Sequence, residues 1–133
     1  MQFYREFRFY KRELEGNYKV TLNELNKKYY FHDSVLNRIE YNSKELKLYC
    51  EFCEFLQKDY EENDCTNSDI IVVFHNASYS IADGFPIEDS SFLNQKLLDK
   101  SIIFSLESTS MEYGNLIIKA ESVDMIKVQS YNL

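Results

Sequence analysis

Between residues 45 and 53 the sequence alternates without a break. Leu46, Leu48, Cys50 and Phe52 are apolar, while Lys47, Tyr49 and Glu51 between them carry polar groups. A period of two is what a strand imposes, because successive side chains point to opposite faces of a sheet. The pattern fits an antiparallel sheet with one dry face and one wet face. The rest of the chain has to be arranged around that strand.

Upstream, the alternation places Val35, Ile39 and Tyr41 on one face and Arg38 and Glu40 on the other, with Asn42-Ser43 as the turn of a hairpin. Thr21 opens a short helix over about 22–29, and Glu24 three residues on completes a capping box. Residues 3–14 fit two periods. Phe3, Phe7, Tyr10 and Leu14 fall at helical spacing, and Phe3, Phe7 and Phe9 also suit a strand. Helix is the reading taken, with Gly16-Asn17 as its stop.

Downstream, residues 58–68 read as a polar loop. Residues 70–74 are apolar at every position, as in a strand buried on both sides. Residues 77–81 continue that strand or pair beside it, and Asp83-Gly84 marks a turn. Asp89, Ser90 or Ser91 is expected to cap a short helix over 91–98, with Leu93 and Leu97 inward. Three strands follow, through Ile102, Phe104 and Leu106, through Leu116, Ile118 and Ala120, and through Ile126 and Val128, with a turn at Tyr113-Gly114-Asn115. Strands in series with short connections predict a meander. The expected fold is α+β and mainly β: a single domain over 1–133, a twisted antiparallel sheet or sandwich-like meander with one or two short helices. The 11 tyrosines and 10 phenylalanines agree with a strand-rich chain.

The formal charge of −7 argues against nucleic acid as a general partner. Acidity is enough to account for solubility; its sharper reading is steering towards a basic protein partner. Arg5, Arg8, Lys11 and Arg12 make the N-terminal part basic, whereas Glu51, Glu54, Asp59, Glu61, Glu62 and Asp64 form an acidic stretch, the candidate binding face. No apolar run reaches the roughly 20 residues needed to cross a bilayer, and the N-terminus lacks the apolar segment of a signal peptide. Three cysteines, an odd number, suit free thiols in a reducing compartment. The expectation is a cytoplasmic protein without a membrane partner.

Few residues offer chemistry. In His32-Asp33 a carboxylate adjoins an imidazole, but neighbours leading into a strand tend to point apart. Asp33 is therefore expected to cap local backbone donors while His32 anchors the loop. Cys50 and Cys53 lie three apart in a strand and face opposite sides; with Cys65 and His75 they match no zinc spacing. The acidic loop from Asp59 has Asp64 and Ile70 where a calcium loop needs glycine and glutamate. No glycine-rich phosphate loop or serine elbow is present. No metal, cofactor or catalytic residue is assigned.

Phe31-His32-Asp33-Ser34, followed by a hydrophobic residue, a spacer, Ile39 and the strand through Leu46 and Leu48, resembles a group of small bacterial domains. Some of these are classed as immunity proteins of polymorphic toxin systems, including the immunity protein 50 family. The likeness covers about residues 22–130 in element order, including Phe74 and the late strand pair. It implies antiparallel strands with few helices, and no established activity. With the charge, it makes the leading expectation a non-catalytic protein-binding module that neutralises a basic toxin domain through an acidic face. A nuclease suits that role, since carboxylates can occupy a site built for phosphates. One rival is a small enzyme or metal-binding protein using His32, Asp33, His75, Cys50, Cys53 and Cys65. Another is a self-associating structural domain with exposed aromatics at its interface.

Overall fold

The structure, a computed structural model, describes residues 2–8, 20–53 and 67–132. In chain order the elements are β1 (Gln2–Arg8), α1 (Leu22–Lys28), β2 (Val35–Asn42), β3 (Glu45–Cys53), β4 (Asn67–His75), β5 (Ser78–Ser80), β6 (Ser90–Leu98), β7 (Ser101–Glu107), β8 (Tyr113–Lys119) and β9 (Ser122–Asn132). The strands form one sheet in the order β1-β9-β4-β3-β2-β6-β7-β8-β5, and every ladder in it is antiparallel. The expected mainly β, antiparallel class is the observed one, with one short helix among the described residues.

Chain connectivity forces this sheet to curl. β4 and β5 stand six strand spacings apart in the order, about 29 Å if the sheet were flat. Only Asn76 and Ala77 join them, and a two-residue link spans at most about 11 Å. The link between β8 and β9, Ala120-Glu121, imposes the same constraint on a second pair six spacings apart. The seven strands from β4 round to β5 therefore wrap into a barrel-like shell. The two links are clipped together at its seam: Glu121 N–H donates to the His75 carbonyl at 3.0 Å, and Asn76 Nδ2 donates to Glu121 Oε2 at 3.1 Å. Tyr41 reaches the same seam from β2, donating its hydroxyl to the Ala77 carbonyl at 2.6 Å.

Inside the shell, Phe31 is fully buried with its ring 5.2 Å from Phe52, 5.4 Å from Phe92 and 5.1 Å from Phe104. Residues from β3, β6 and β7 thus meet on one side chain from the loop after α1. The helix packs against β6, β7 and β9, burying Leu22 and Leu25. Its capping box is complete: Glu24 N–H donates to Thr21 Oγ1 and Thr21 N–H to Glu24 Oε1, each at 3.1 Å. A cap of this kind contributes about 1 kcal/mol.

The hairpin of β2 and β3 forms as the alternation requires, but its phase differs at one end. Its turn residues, Ser43 and Lys44, both have positive φ, 52° and 63°, the arrangement whose twist matches the strands. Asn37 is an extra residue between the pairs Leu36↔Cys50 and Arg38↔Tyr49. This bulge resets the alternation, so Leu36, not Val35, shares the inner face with Ile39 and Tyr41. In β4, Ile70, Val72 and Phe74 are buried on the inner face and Val73 on the outer, while Ile71 is half-buried. The strand already includes Asn67 and Ser68 from the expected polar loop.

Four further expectations are corrected. Residues 2–8 are strand β1, paired along β9; the open edge of β9 satisfies a row of backbone groups that a short isolated helix could not stabilise in water. Residues 9–14 and Gly16-Asn17 lie outside the described residues. The segment 91–98 is not a helix but lies in strand β6. Leu93 is its bulge, between Phe92↔Leu106 and Asn94↔Ser105, and that extra residue puts Phe92 and Leu97 on one face and erases the period of two. β5 pairs with β8, not beside β4, because the seam turns the chain through Asn76 at φ 49°. The turn expected at 113–115 falls earlier, at 108–112, where Ser108 Oγ accepts from Glu112 N–H at 3.0 Å. Gly114 sits inside β8: a Cβ there would stand 2.7 Å from Cδ1 of Phe85, so its missing side chain makes room for that ring. Asp83-Gly84 does form a turn, with Gly84 at φ 75°.

Candidate functional site: an acidic outer face on β2, β3 and β4

The bulge at Asn37 organises this face. Asn37 Nδ2 donates one hydrogen to Glu51 Oε2 and the other to Asp89 Oδ1, both at 2.9 Å. Glu51 on β3 lies directly across the ladder from Asp69 on β4. All three carboxylates are exposed. No Lys, Arg or His among the described residues forms an ion pair with any of them. Further along β2, Arg38 is already engaged, with its guanidinium carbon 3.6 Å from the Tyr49 ring centroid and Nη1 3.1 Å from Glu40 Oε2. Lys47 on the same face of β3 is likewise engaged, 3.8 Å from Glu45 Oε1, so among the described residues the cations of this face are locally balanced and the Glu51, Asp69 and Asp89 cluster is not.

Of the six residues expected to form an acidic binding face, Glu51 is placed on it. Glu54, Asp59, Glu61, Glu62 and Asp64 lie outside the described residues. Asp69, Asp89 and the bridging Asn37 were not singled out from the sequence. Their convergence depends on a ladder register and a bulge, and neither leaves a motif.

The Phe31-His32-Asp33-Ser34 motif divides its labour. Phe31 is the core anchor described above. Ser34 is buried, and its Oγ accepts from the Cys53 N–H at 2.8 Å. Asp33 does not cap local backbone donors as expected. It turns the chain at φ 66°, its N–H donates to the Phe92 carbonyl at 3.0 Å, and its Oδ2 lies 3.3 Å from His32 Nδ1. The expectation that the pair points apart fails because both residues precede the strand. His32 stacks on Tyr30, with ring centroids 5.6 Å apart.

His75 is placed elsewhere, at the end of β4. Its Nε2 is 2.8 Å from Oδ2 of the buried Asp124, and its Nδ1 is 3.5 Å from Glu45 Oε2. The two ring nitrogens point apart, so the two carboxylates do not converge on a common ligand position. The pairing of His75 with Asp124, 49 residues away, has no signal in the sequence. Cys50 is buried on the inner face between Leu36 and Ile70, and burial pushes its thiol well above the ordinary value. Cys53 is half-buried, both are free thiols, and Cys65 lies outside the described residues. No group of three His, Cys, Asp or Glu side chains among the described residues is arranged to hold a metal ion. No helix among them is long and apolar enough to cross a membrane.

Compared with family models, with curated proteins and with solved structures, the chain returned no match.

Proposed function

We propose that this chain is a non-catalytic protein-binding module that neutralises a basic protein, of the toxin-domain kind, by covering its cationic site with the acidic outer face of β2, β3 and β4. The observation that carries the reading is the cross-strand pair Glu51–Asp69. Like charges directly opposite each other destabilise a sheet, by roughly 0.2–1 kcal/mol. Glu51 takes a local hydrogen bond from Asn37, whereas no hydrogen bond or ion pair among the described residues holds Asp69 opposite it. A cationic partner turns the same repulsion into attraction and speeds encounter by steering.

The likeness of the Phe31–Ser34 region to domains classed as immunity proteins points the same way. On this reading the protein works in the cytoplasm, needs no cofactor, and meets a partner whose own site is built for phosphates. The test is affinity capture from the native host with the wild-type chain and with Glu51→Gln/Asp69→Asn/Asp89→Asn as parallel baits. A stoichiometric basic protein held by the first and lost by the second supports the proposal. A partner retained equally by both baits contradicts it.

A further inference from the structure

β2 leaves its partner after its first two residues. Its ladder to β6 consists of Val35↔Ser91 and Leu36↔Ser90, because the chain before β6 turns away at Ile87, whose carbonyl takes the Ser90 N–H at 3.0 Å. Beyond the Asn37 bulge, β2 is paired, among the described residues, with β3 alone. The turn at Ser43-Lys44 makes Asn42↔Glu45 a hydrogen-bonded pair, and strict alternation makes Glu40↔Lys47 and Arg38↔Tyr49 the next two. The N–H and C=O groups of Ile39 and Tyr41 therefore face away from β3. Among the described residues no other backbone hydrogen bond to either residue is present.

We infer that this open edge of β2, over residues 38–42, receives an extended segment of the basic partner as an added antiparallel strand, with a Lys or Arg opposite Glu40. The inference rests on the reading of the acidic face above and specifies how the partner docks. Adding a strand to an exposed edge is an established recognition mode, in which main-chain bonds supply affinity and alternate side chains supply specificity.

Charge selects the occupant. A second copy of this chain that used the edge groups of both Ile39 and Tyr41 would set Ile39 against Tyr41 and Glu40 against Glu40 of the other copy. That repulsion disfavours self-pairing, a common protection of exposed edges. Arg38 and Glu40 already form an ion pair with each other, and a partner strand with a basic residue opposite Glu40 and an acidic one opposite Arg38 extends that pair into a network of alternating charges. Beside Glu40 lies a depression of about 230 Å³ lined by Asn42, Ser43, Glu45 and Lys47 as well, space into which a long basic side chain can extend. On the inner side, Ile39 and Tyr41 call for apolar neighbours. The partner segment thus reads apolar, basic, apolar, acidic from its N-terminus.

The test uses the full chain and two blocked peptides, Thr-Val-Lys-Val-Glu-Thr and its charge-swapped form Thr-Val-Glu-Val-Lys-Thr, followed by amide NMR shifts. The inference expects saturable shifts at the Ile39 and Tyr41 amides, with the first peptide binding about tenfold more tightly. The variant Arg38→Glu/Glu40→Arg should reverse that preference, and Ile39→Pro, which removes an edge donor that no ladder uses, should abolish both. Absence of saturable shifts at Ile39 and Tyr41 at millimolar peptide, or equal binding of the two peptides, overturns it. A disordered lysine-rich peptide separates the two readings. If its binding depends on Glu51 and Asp69 while the edge tests fail, the docking mode is wrong and the acidic face stands; if it does not bind at all, both fall.

Discussion

Gln95 ties the loop after α1 to β6 with both ends of one amide: its Oε1 accepts from the Phe31 N–H at 2.7 Å, and its Nε2 donates to the Tyr29 carbonyl at 2.7 Å. The same Nε2 lies 3.1 Å from Asn26 Oδ1. These bonds engage backbone groups just past the end of the helix, and they fix the backbone from which Phe31 enters the core. Gln95→Leu removes the side-chain acceptor of the Phe31 N–H and the side-chain donor to the Tyr29 carbonyl, part-buried bonds whose loss costs about 1–3 kcal/mol each. We expect a loss of roughly 3 kcal/mol in urea unfolding. Gln95→Glu should keep the bond to Phe31 and lose those to Tyr29 and Asn26, with a comparable penalty from a carboxylate set against carbonyl oxygens.

Gly114 and Phe85 form a matched pair. A Cβ at residue 114 would lie 2.7 Å from Cδ1 and 2.9 Å from Cε1 of the Phe85 ring. Gly114→Ala should destabilise the protein by about 1–3 kcal/mol through overpacking. The double variant Gly114→Ala/Phe85→Leu should recover part of that loss, which a double-mutant cycle of unfolding free energies measures.

Cys50 should be chemically silent. The thiolate is the reactive species, and burial holds this thiol protonated far above its ordinary value of 9.0. Alkylation at pH 8 followed by peptide mapping should label Cys53 before Cys50, and Cys50 only after denaturant is added. The folded value is the raised one, so its stabilising contribution is complete below pH 9.0 and is lost as pH rises above it, where the unfolded thiol ionises and the native one does not. Cys50→Ala should remove that part of the alkaline loss of stability.

Neutralising either member of the Glu51–Asp69 pair should strengthen the fold. Glu51→Gln or Asp69→Asn is expected to raise the unfolding free energy by about 0.5 kcal/mol at low salt. The gain should shrink as salt screens the repulsion, and the two changes together should add less than the sum of each alone.

The inner face of β3 could be read from alternation alone, because nothing interrupts residues 46–52. The helix at 22–28 was legible because its capping box is local. Wherever a bulge intervenes, at Asn37 and Leu93, the period of two breaks and the reading failed, shifting a face in β2 and turning β6 into a helix. Gly114 looked like a turn residue because a glycine that admits a distant ring leaves no separate trace in sequence. The N-terminal strand was hidden because its stability comes from β9, more than a hundred residues away. Of the acidic face, Glu51 could be picked out from the sequence, while its pairing with Asp69 and its bridge through Asn37 to Asp89 depend on register.

The most direct measurement is calorimetric titration of the captured basic partner into the wild-type chain and into Glu51→Gln/Asp69→Asn, at low and at high salt. The acidic-face account predicts at least tenfold weaker binding by the variant at low salt, about the loss of 1.4 kcal/mol, and a shallower salt dependence than the wild type shows. Equal affinity and equal salt dependence for the two proteins would contradict it.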